Sequence, residues 1–479
     1  MLLGGTVALV LVAFASGYGY HRDELYFLAA GRHLDWAYAD QGPITPLIAR
    51  AMSELAAGSV TVLRLPSALA TGVIVLLTGR LAGELGGSLR AERIAAACAA
   101  ASGVLLFTGH ILSTTTFDLL VWTTVVWLAV RAVRRGEDRL WPVAGAVLGL
   151  GMLNKPLPAF LALGALAGIA IAGPRRLLRS RYVWAGAAMA LALSAPWVLW
   201  QNARGWPQID VSRSIAGGGS TSSQPWWAVV PYQVLLASPP LAPIWIAGLV
   251  RLLRDPELRD VRFLGVTWVV LACVFMATGG KPYYLAGLLP VLIAAGAGGV
   301  DRWLERGRAG ARKGVLAVAV AGSAAVAAVI ALPVLPAHRA GIAVALNADV
   351  GETIGWPRFA QTVASVYRSL PDPRRAVILT GNYGEAGAID RFGPGLGLPA
   401  AYSGHNAYGG WRVPPEGSAP AVAVGLRPHD LAELGACTVA GRIDNGVGID
   451  DEEQGEAVFV CQGPRRGWSE LWPALRHLG

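Results

Sequence analysis

Residues 20–47 read YHRDELYFLAAGRHLDWAYADQGPITPL, directly after the first apolar stretch of the chain, MLLGGTVALVLVAFASG (1–17). Four acids, Asp23, Glu24, Asp35 and Asp40, stand there among tyrosines, a tryptophan and two histidines. A loop that only joins two membrane helices has no use for them, because charge beside lipid carries a desolvation cost. This crowding is the strongest local sign of chemistry. The stretch 17–60 is also too long for a simple connector. Its pattern predicts two short helices lying along the membrane, 23–34 with Asp23 as its cap and 44–56 entered through Pro43 and Pro46.

The surroundings are apolar. Of 479 residues, 54% are hydrophobic and 15% charged, with a mean hydropathy of +0.47. A soluble enzyme carries about 25% charged residues. Eleven apolar runs fit bilayer-spanning helices: 2–16, 61–79, 94–110, 113–130, 140–153, 157–173, 182–200, 228–250, 263–278, 283–299 and 314–335. Of these, the splits near 112 and near 155 have the broken helix as their alternative. The first run lacks a basic leader and a small-residue cleavage site, so it reads as a retained span rather than a cleaved signal. The net charge of +9 invites a nucleic-acid reading, which the positions of the basic residues exclude. With the first residue in the cytoplasm, the inside loops carry 20 Lys or Arg and the outside loops 7. That bias places a multi-pass protein in the plasma membrane, with 20–47 and the C-terminal region outside.

Beyond residue 336 the composition shifts toward Pro, Gly, Asp and Glu. Short apolar runs at 376–380, 421–426 and 457–461 predict strands, and GNYGEAGAIDRFG (381–393) a loop and then a helix. The expected organisation is an α-helical polytopic membrane domain over 1–336, followed by a small extracytoplasmic α/β domain over 337–479. Cys98 and Cys273 fall in apolar runs and read as packing residues. Cys437 and Cys461 read as a disulfide or as two buried thiols.

Each candidate residue has a chemical reading and a bland one. Asp23 and Glu24 suit a membrane-surface base that takes a proton from an acceptor hydroxyl, or the acids of a helix first turn. Asp40 and Gln41 suit sugar contacts, or a turn before Pro43. Asp23 and Asp40 together offer carboxylates for a divalent cation such as Mg, Mn or Ca; His21 and His33 add no recognised ligand spacing. Asp118 inside a span suits an acceptor-side role, or hydrogen bonding to Thr114 or Thr115. Lys281 in GGKPYYLAGLLP (279–290), Lys155 in GMLNKPLP (151–158) and Tyr283 suit a lipid phosphate, or snorkelling and interface belts. In the tail, Tyr383, Glu385, His405 and Asn406 lie in turn-rich loops that suit acceptor contacts or plain surface.

The same residues resemble the first outer loop of bacterial membrane glycosyltransferases of the GT-C superfamily. The kinship is to the family 39-like protein O-mannosyltransferases and the aminoarabinose transferase of lipid A. Asp23 and Glu24 match the family's Asp–Glu pair. Asp40, Gln41, Pro43 and Ile44 match its Asp-x-Pro-Pro-Leu-like stretch, with Gly42 where a first proline is common. The segments 381–390 and 402–411 resemble the tail of an actinobacterial subgroup. The resemblance implies a GT-C fold and a polyprenyl-phosphate-linked sugar donor. It also implies an outward-facing site and an acceptor that is envelope glycan, lipid or protein. Asp23 would be the base and Glu24 its orienter, with Lys281 and Arg22 near the donor phosphate. Relatives differ in metal use, so no cofactor is certain. The rival expectation is a transporter or flippase of a lipid-linked or anionic solute, and a second rival is an envelope-assembly scaffold. Asp23→Asn separates the three.

Overall fold

The computed structural model describes residues 1–220, 222–306 and 309–479; residues 221, 307 and 308 lie outside the described residues. The chain forms two compact units. The first comprises Met1–Ala15, Gln41–Ile44 and Arg64–Leu332. The second comprises Ser16–Asp40, Thr45–Leu63 and Pro333–Gly479. Most of the 17–60 stretch therefore packs with the tail, where its acids find their partners.

In the first unit, each of the eleven apolar runs falls on helix. Among the described residues, five helices are long and apolar enough to cross a membrane: Val60–Glu84, Thr114–Arg135, Arg181–Ala203, Pro282–Glu305 and Gly310–Ala331. Two bent pairs reach that length together, Leu89–Ala100 with Gly103–His110 (58°) and Trp226–Ala237 with Pro239–Arg254 (96°). Leu2–Phe14, Leu140–Met152, Leu157–Ala172 and Phe263–Thr278 are shorter. The chain is a multi-pass membrane protein. These bends fall near 101 and 238; near 112 and 155 one helix ends and a separate one begins. The two bends hold each other: Ser102 Oγ donates to Leu236 O at 3.1 Å, and Ser238 Oγ to Ala101 O at 3.2 Å. Carbonyls freed by a break within a span need such partners where water is excluded. The helices Ala242–Arg254 and Leu289–Glu305 touch backbone to backbone. A Cβ on Gly248 would sit 1.8 Å from Leu292 O, and one on Gly296 2.0 Å from Ile244 O. Only glycine allows that approach.

The second unit carries a five-stranded sheet in the order β2-β1-β3-β5-β4, with β1 Val377–Thr380, β2 Tyr402–Ser403, β3 Ala421–Val424, β4 Cys437–Arg442 and β5 Ala457–Cys461. β1 runs parallel to β2 and β3; β5 runs antiparallel to β3 and β4. β1 and β3 are buried along their whole length, which explains their continuous apolar runs. Cys437 and Cys461 face each other across β4 and β5 and are disulfide-bonded. Helix Tyr383–Phe392 connects β1 to β2 and packs on helix Arg22–Arg32.

Helix Arg22–Arg32 starts one residue before the sequence reading, and its cap differs. His21, not Asp23, is the N-cap: its Nδ1 accepts from the Asp23 N–H at 3.2 Å, and Glu24 Oε2 accepts from the His21 N–H at 2.8 Å. A carboxylate at the third helical position reaching back to the cap is a capping box. Asp23 is thus spared capping duty. Helix Ile44–Leu55 buries Thr45, Pro46 and Ala49 while leaving Leu47 and Leu55 exposed.

Candidate active site

Two carboxylates of the second unit are held by tyrosines. Tyr383 Oη donates to Asp23 Oδ1 at 2.8 Å, and Tyr26 Oη donates to Asp40 Oδ1 at 2.8 Å. The two tyrosine rings stack with centroids 4.6 Å apart. Asn406 Nδ2 adds a bond to Asp40 Oδ2 at 3.3 Å, and the Ala407 N–H donates to Tyr26 Oη at 3.3 Å. His405 stacks on the far face of the column, 4.7 Å from the Tyr383 ring. Burial, and then the Asp23 charge, hold the Tyr383 hydroxyl well above its usual range. Burial and then Asp40 do the same for Tyr26. Both phenols therefore stay protonated and act as donors. Burial pushes Asp40 up to about 6 against the Tyr26 hydrogen bond, and the Asp23 charge pushes the same way. Asp23 is half-buried, and a carboxylate has about four lone-pair positions, so the tyrosine leaves room for an incoming proton.

Tyr383→Phe removes the hydroxyl and keeps the stack. We expect it to cost about 1.5–3 kcal/mol of stability, the worth of one hydrogen bond to a charged group, read from the unfolding midpoint in lipid; an unchanged midpoint would show that the bond carries no weight.

Several residues read as catalytic or ligand contacts are held by protein partners. Arg22, expected near the donor phosphate, is buried and pairs with Glu352 at 3.4 Å and with Glu452; its guanidinium lies over the Tyr383 ring at 5.3 Å. Glu24 is fully buried in its capping box. Glu385, expected at the acceptor, is buried and accepts the Gly381 and Asn382 N–H groups at 2.8 and 3.1 Å. It completes a second capping box with Asn382. His405 is buried and bonds the backbone at Gly479. Asn406 reaches the site through Asp40 rather than from an open surface. Among the described residues, the group of three or more acids whose oxygens lie close enough to share an ion is Glu352, Glu452 and Glu453. Glu352, Glu452, Glu453 and Tyr26 were not picked out by the sequence reading. Tyr26 carried a signal, since it lies one helical turn from Asp23; the three glutamates carried none.

Burial pushes Glu385 up to about 8 against its two N–H donors. Its folded value thus exceeds the unfolded one, so the folded state binds the extra proton between the two. Its contribution to stability is complete below the unfolded value and is lost as pH rises through about 8. Glu385→Gln keeps the capping acceptor and removes the ionisation. Between pH 6 and 9 the variant's unfolding midpoint should decline less than that of the wild type. Parallel declines would remove Glu385 as the cause.

In the first unit, Lys155 and Tyr283 come together. Lys155 Nζ lies 4.8 Å from the Tyr283 centroid and 5.4 Å from that of Tyr284, and donates to Thr115 Oγ1 at 3.3 Å. Lys281 Nζ donates to Ser220 Oγ at 2.8 Å. Asp118 accepts from Trp122 Nε1 at 3.1 Å, one turn along its own helix, rather than from Thr114 or Thr115. Gln41 is buried, and neither end of its carboxamide has a hydrogen-bond partner among the described residues. The turn beside it is pinned, since the Gly42 N–H donates to Asn154 O and the Ile44 N–H to Leu153 O, each at 3.2 Å.

Residues 40–200 match the family described as dolichyl-phosphate-mannose-protein mannosyltransferase. The chain is 29% identical over 265 residues to undecaprenyl phosphate-alpha-4-amino-4-deoxy-L-arabinose arabinosyl transferase 1 of Pseudomonas fluorescens, covering 51% of this chain and 45% of that protein. The counterpart of Pseudomonas savastanoi pv. phaseolicola is 28% identical over 250 residues, covering 48% and 45%. The chain thus spans about half the length of the curated relatives it matches. Among solved structures, ArnT from Cupriavidus metallidurans bound to undecaprenyl phosphate superposes with a TM-score of 0.62 at 17% identity, covering 97% of this chain and 99% of that one. Its apo form gives 0.63 at 15% identity with the same coverage.

Proposed function

Because the chain has the GT-C fold of membrane glycosyltransferases, we propose that it moves a sugar, with inversion, from a polyprenyl-phosphate donor to a hydroxyl acceptor. The observation that carries this reading is Asp23, a half-buried carboxylate freed from capping by His21 and oriented by Tyr383. Asp23 takes the proton of the acceptor hydroxyl. The hydroxyl oxygen then attacks the anomeric carbon from the face opposite the phosphate, and the glycosidic C–O bond breaks with its electron pair leaving on the phosphate. Lys281 and Lys155 supply positive charge for the departing polyprenyl phosphate, where preorganised charge is worth most. Asp40 and Gln41 contact the sugar or acceptor, with Asp118 in a supporting role. A divalent cation, where one takes part, would use the remaining lone pairs of Asp23 and Asp40. Acceptors in this reading are glycan, lipid or protein of a bacterial envelope.

The reading places the N-terminus in the cytoplasm and residues 20–47 and 337–479 outside, supported by the excess of basic residues in the inside loops. The test of function is release of polyprenyl phosphate from a panel of polyprenyl-phosphate sugars by the purified protein in lipid, with membrane extract as acceptor. Release that depends on the sugar and on Asp23 supports the transferase. No release from any donor, with donor crossing liposome membranes, would instead identify a transporter.

A further inference from the structure

The second unit contains a cavity of about 120 Å³ outside the carboxylate site, lined by Tyr20, Arg32, Ser53, Gly58, Ser59 and Arg391 among others. It is several times a water's share of liquid volume, roughly 30 Å³. Its charge is one-sided. Arg32 ends helix Arg22–Arg32 and Arg391 stands in the last turn of helix Tyr383–Phe392. Among the described residues, neither guanidinium has an acidic partner within ion-pair distance. The C-terminal ends of the two helices offset only part of two full charges. Arg391 is held in place: it lies over the Tyr20 and Phe392 rings at 5.5 Å each, and its Nε donates to Tyr20 Oη at 3.4 Å. Its Nη2 lies so close to Gly58, at a φ of +79°, that a Cβ there would approach within 2.7 Å. The wall is thus built around a fixed guanidinium, with serine hydroxyls beside it.

We propose that this cavity binds a phosphate group through Arg32 and Arg391. Two planar guanidinium forks and the hydroxyls of Ser53 and Ser59 match a tetrahedral oxyanion, which offers several acceptors at once. Ser53 belongs to helix Ile44–Leu55, whose Leu55 is 70% exposed, and Trp36 nearby in sequence is 63% exposed. Exposed apolar and indole groups of this kind suit a lipid interface. The phosphate therefore comes from a lipid headgroup or from solution, and the same two arginines receive it in either case.

The test uses the full chain in nanodiscs of neutral phosphatidylcholine. One arm titrates inorganic phosphate by calorimetry; the other measures retention of phosphatidylglycerol over phosphatidylcholine by native mass spectrometry. R32Q and R391Q are compared with wild type in both. Saturable phosphate binding that weakens about tenfold in each variant establishes the site with a soluble ligand. Selective lipid retention lost in the variants, without phosphate binding, establishes it with a headgroup. Equal behaviour of wild type and variants in both arms overturns the proposal. Arg32 is exposed and its replacement leaves the fold intact, so R32Q decides the matter even if R391Q unfolds through loss of its ring contacts.

Discussion

Asp23→Asn should lower kcat by about 10²–10⁴-fold, the usual contribution of a positioned general base, while donor binding is kept. The substitution is nearly isosteric, and the carboxamide oxygen still accepts from Tyr383, so the helix and its capping box survive. What is lost is the ability to take a proton. Turnover is read as polyprenyl phosphate release and binding as retained donor by native mass spectrometry. A variant that turns over within about threefold of wild type would remove Asp23 from the chemistry and favour a scaffold or transport role. Tyr383→Phe should lie between the two, because it loosens the base without removing it.

Gly42→Ala should destabilise the protein by at least about 3 kcal/mol, at the upper end of overpacking costs. A Cβ on Gly42 would stand 2.0 Å from Leu153 O and 3.0 Å from the Asn154 N. Both are backbone atoms that cannot swing aside, and Gly42 also bonds Asn154 through its N–H. Gly42→Pro should be worse, since it loses that N–H as well. The family pattern commonly has a proline at this place, whereas here the chain uses the N–H that proline lacks. The consequence reaches Lys155, whose position follows directly from the pinned 153–154 backbone. The check is the unfolding midpoint in lipid with the yield of folded protein. A wild-type midpoint for Gly42→Ala would mean that the turn relaxes and does not anchor Lys155.

Local pattern carried the membrane helices, the acids of 20–47, the buried strands β1 and β3, and the partly buried β5, because each rests on a run of neighbouring side chains. β2 and β4 escaped it: two residues hold no periodicity, and β4 is largely exposed. The cap of helix Arg22–Arg32 was misjudged because Asp is the commoner cap, and only the structure shows His21 in that place. Apart from Tyr26, the partners of Asp23, Asp40 and Arg22 were not legible as partners at all. Tyr383, Asn406, Glu352 and Glu452 lie more than 300 residues away, and no local rule pairs residues at that distance. Gly42 was visible as a departure from the family pattern, but the carbonyl that forbids a Cβ there belongs to residue 153.

Asp23 and the tyrosine that orients it are 360 residues apart. A ribosome adding 5–20 residues per second makes Asp23 roughly 20–70 s before Tyr383. Throughout that interval, while the intervening helices enter the bilayer one after another, the nascent protein lacks the hydroxyl that donates to Asp23. On the proposed transferase reading, competence therefore arrives late in synthesis, and a chain that stalls inside the membrane region is an inert product rather than a partly active one.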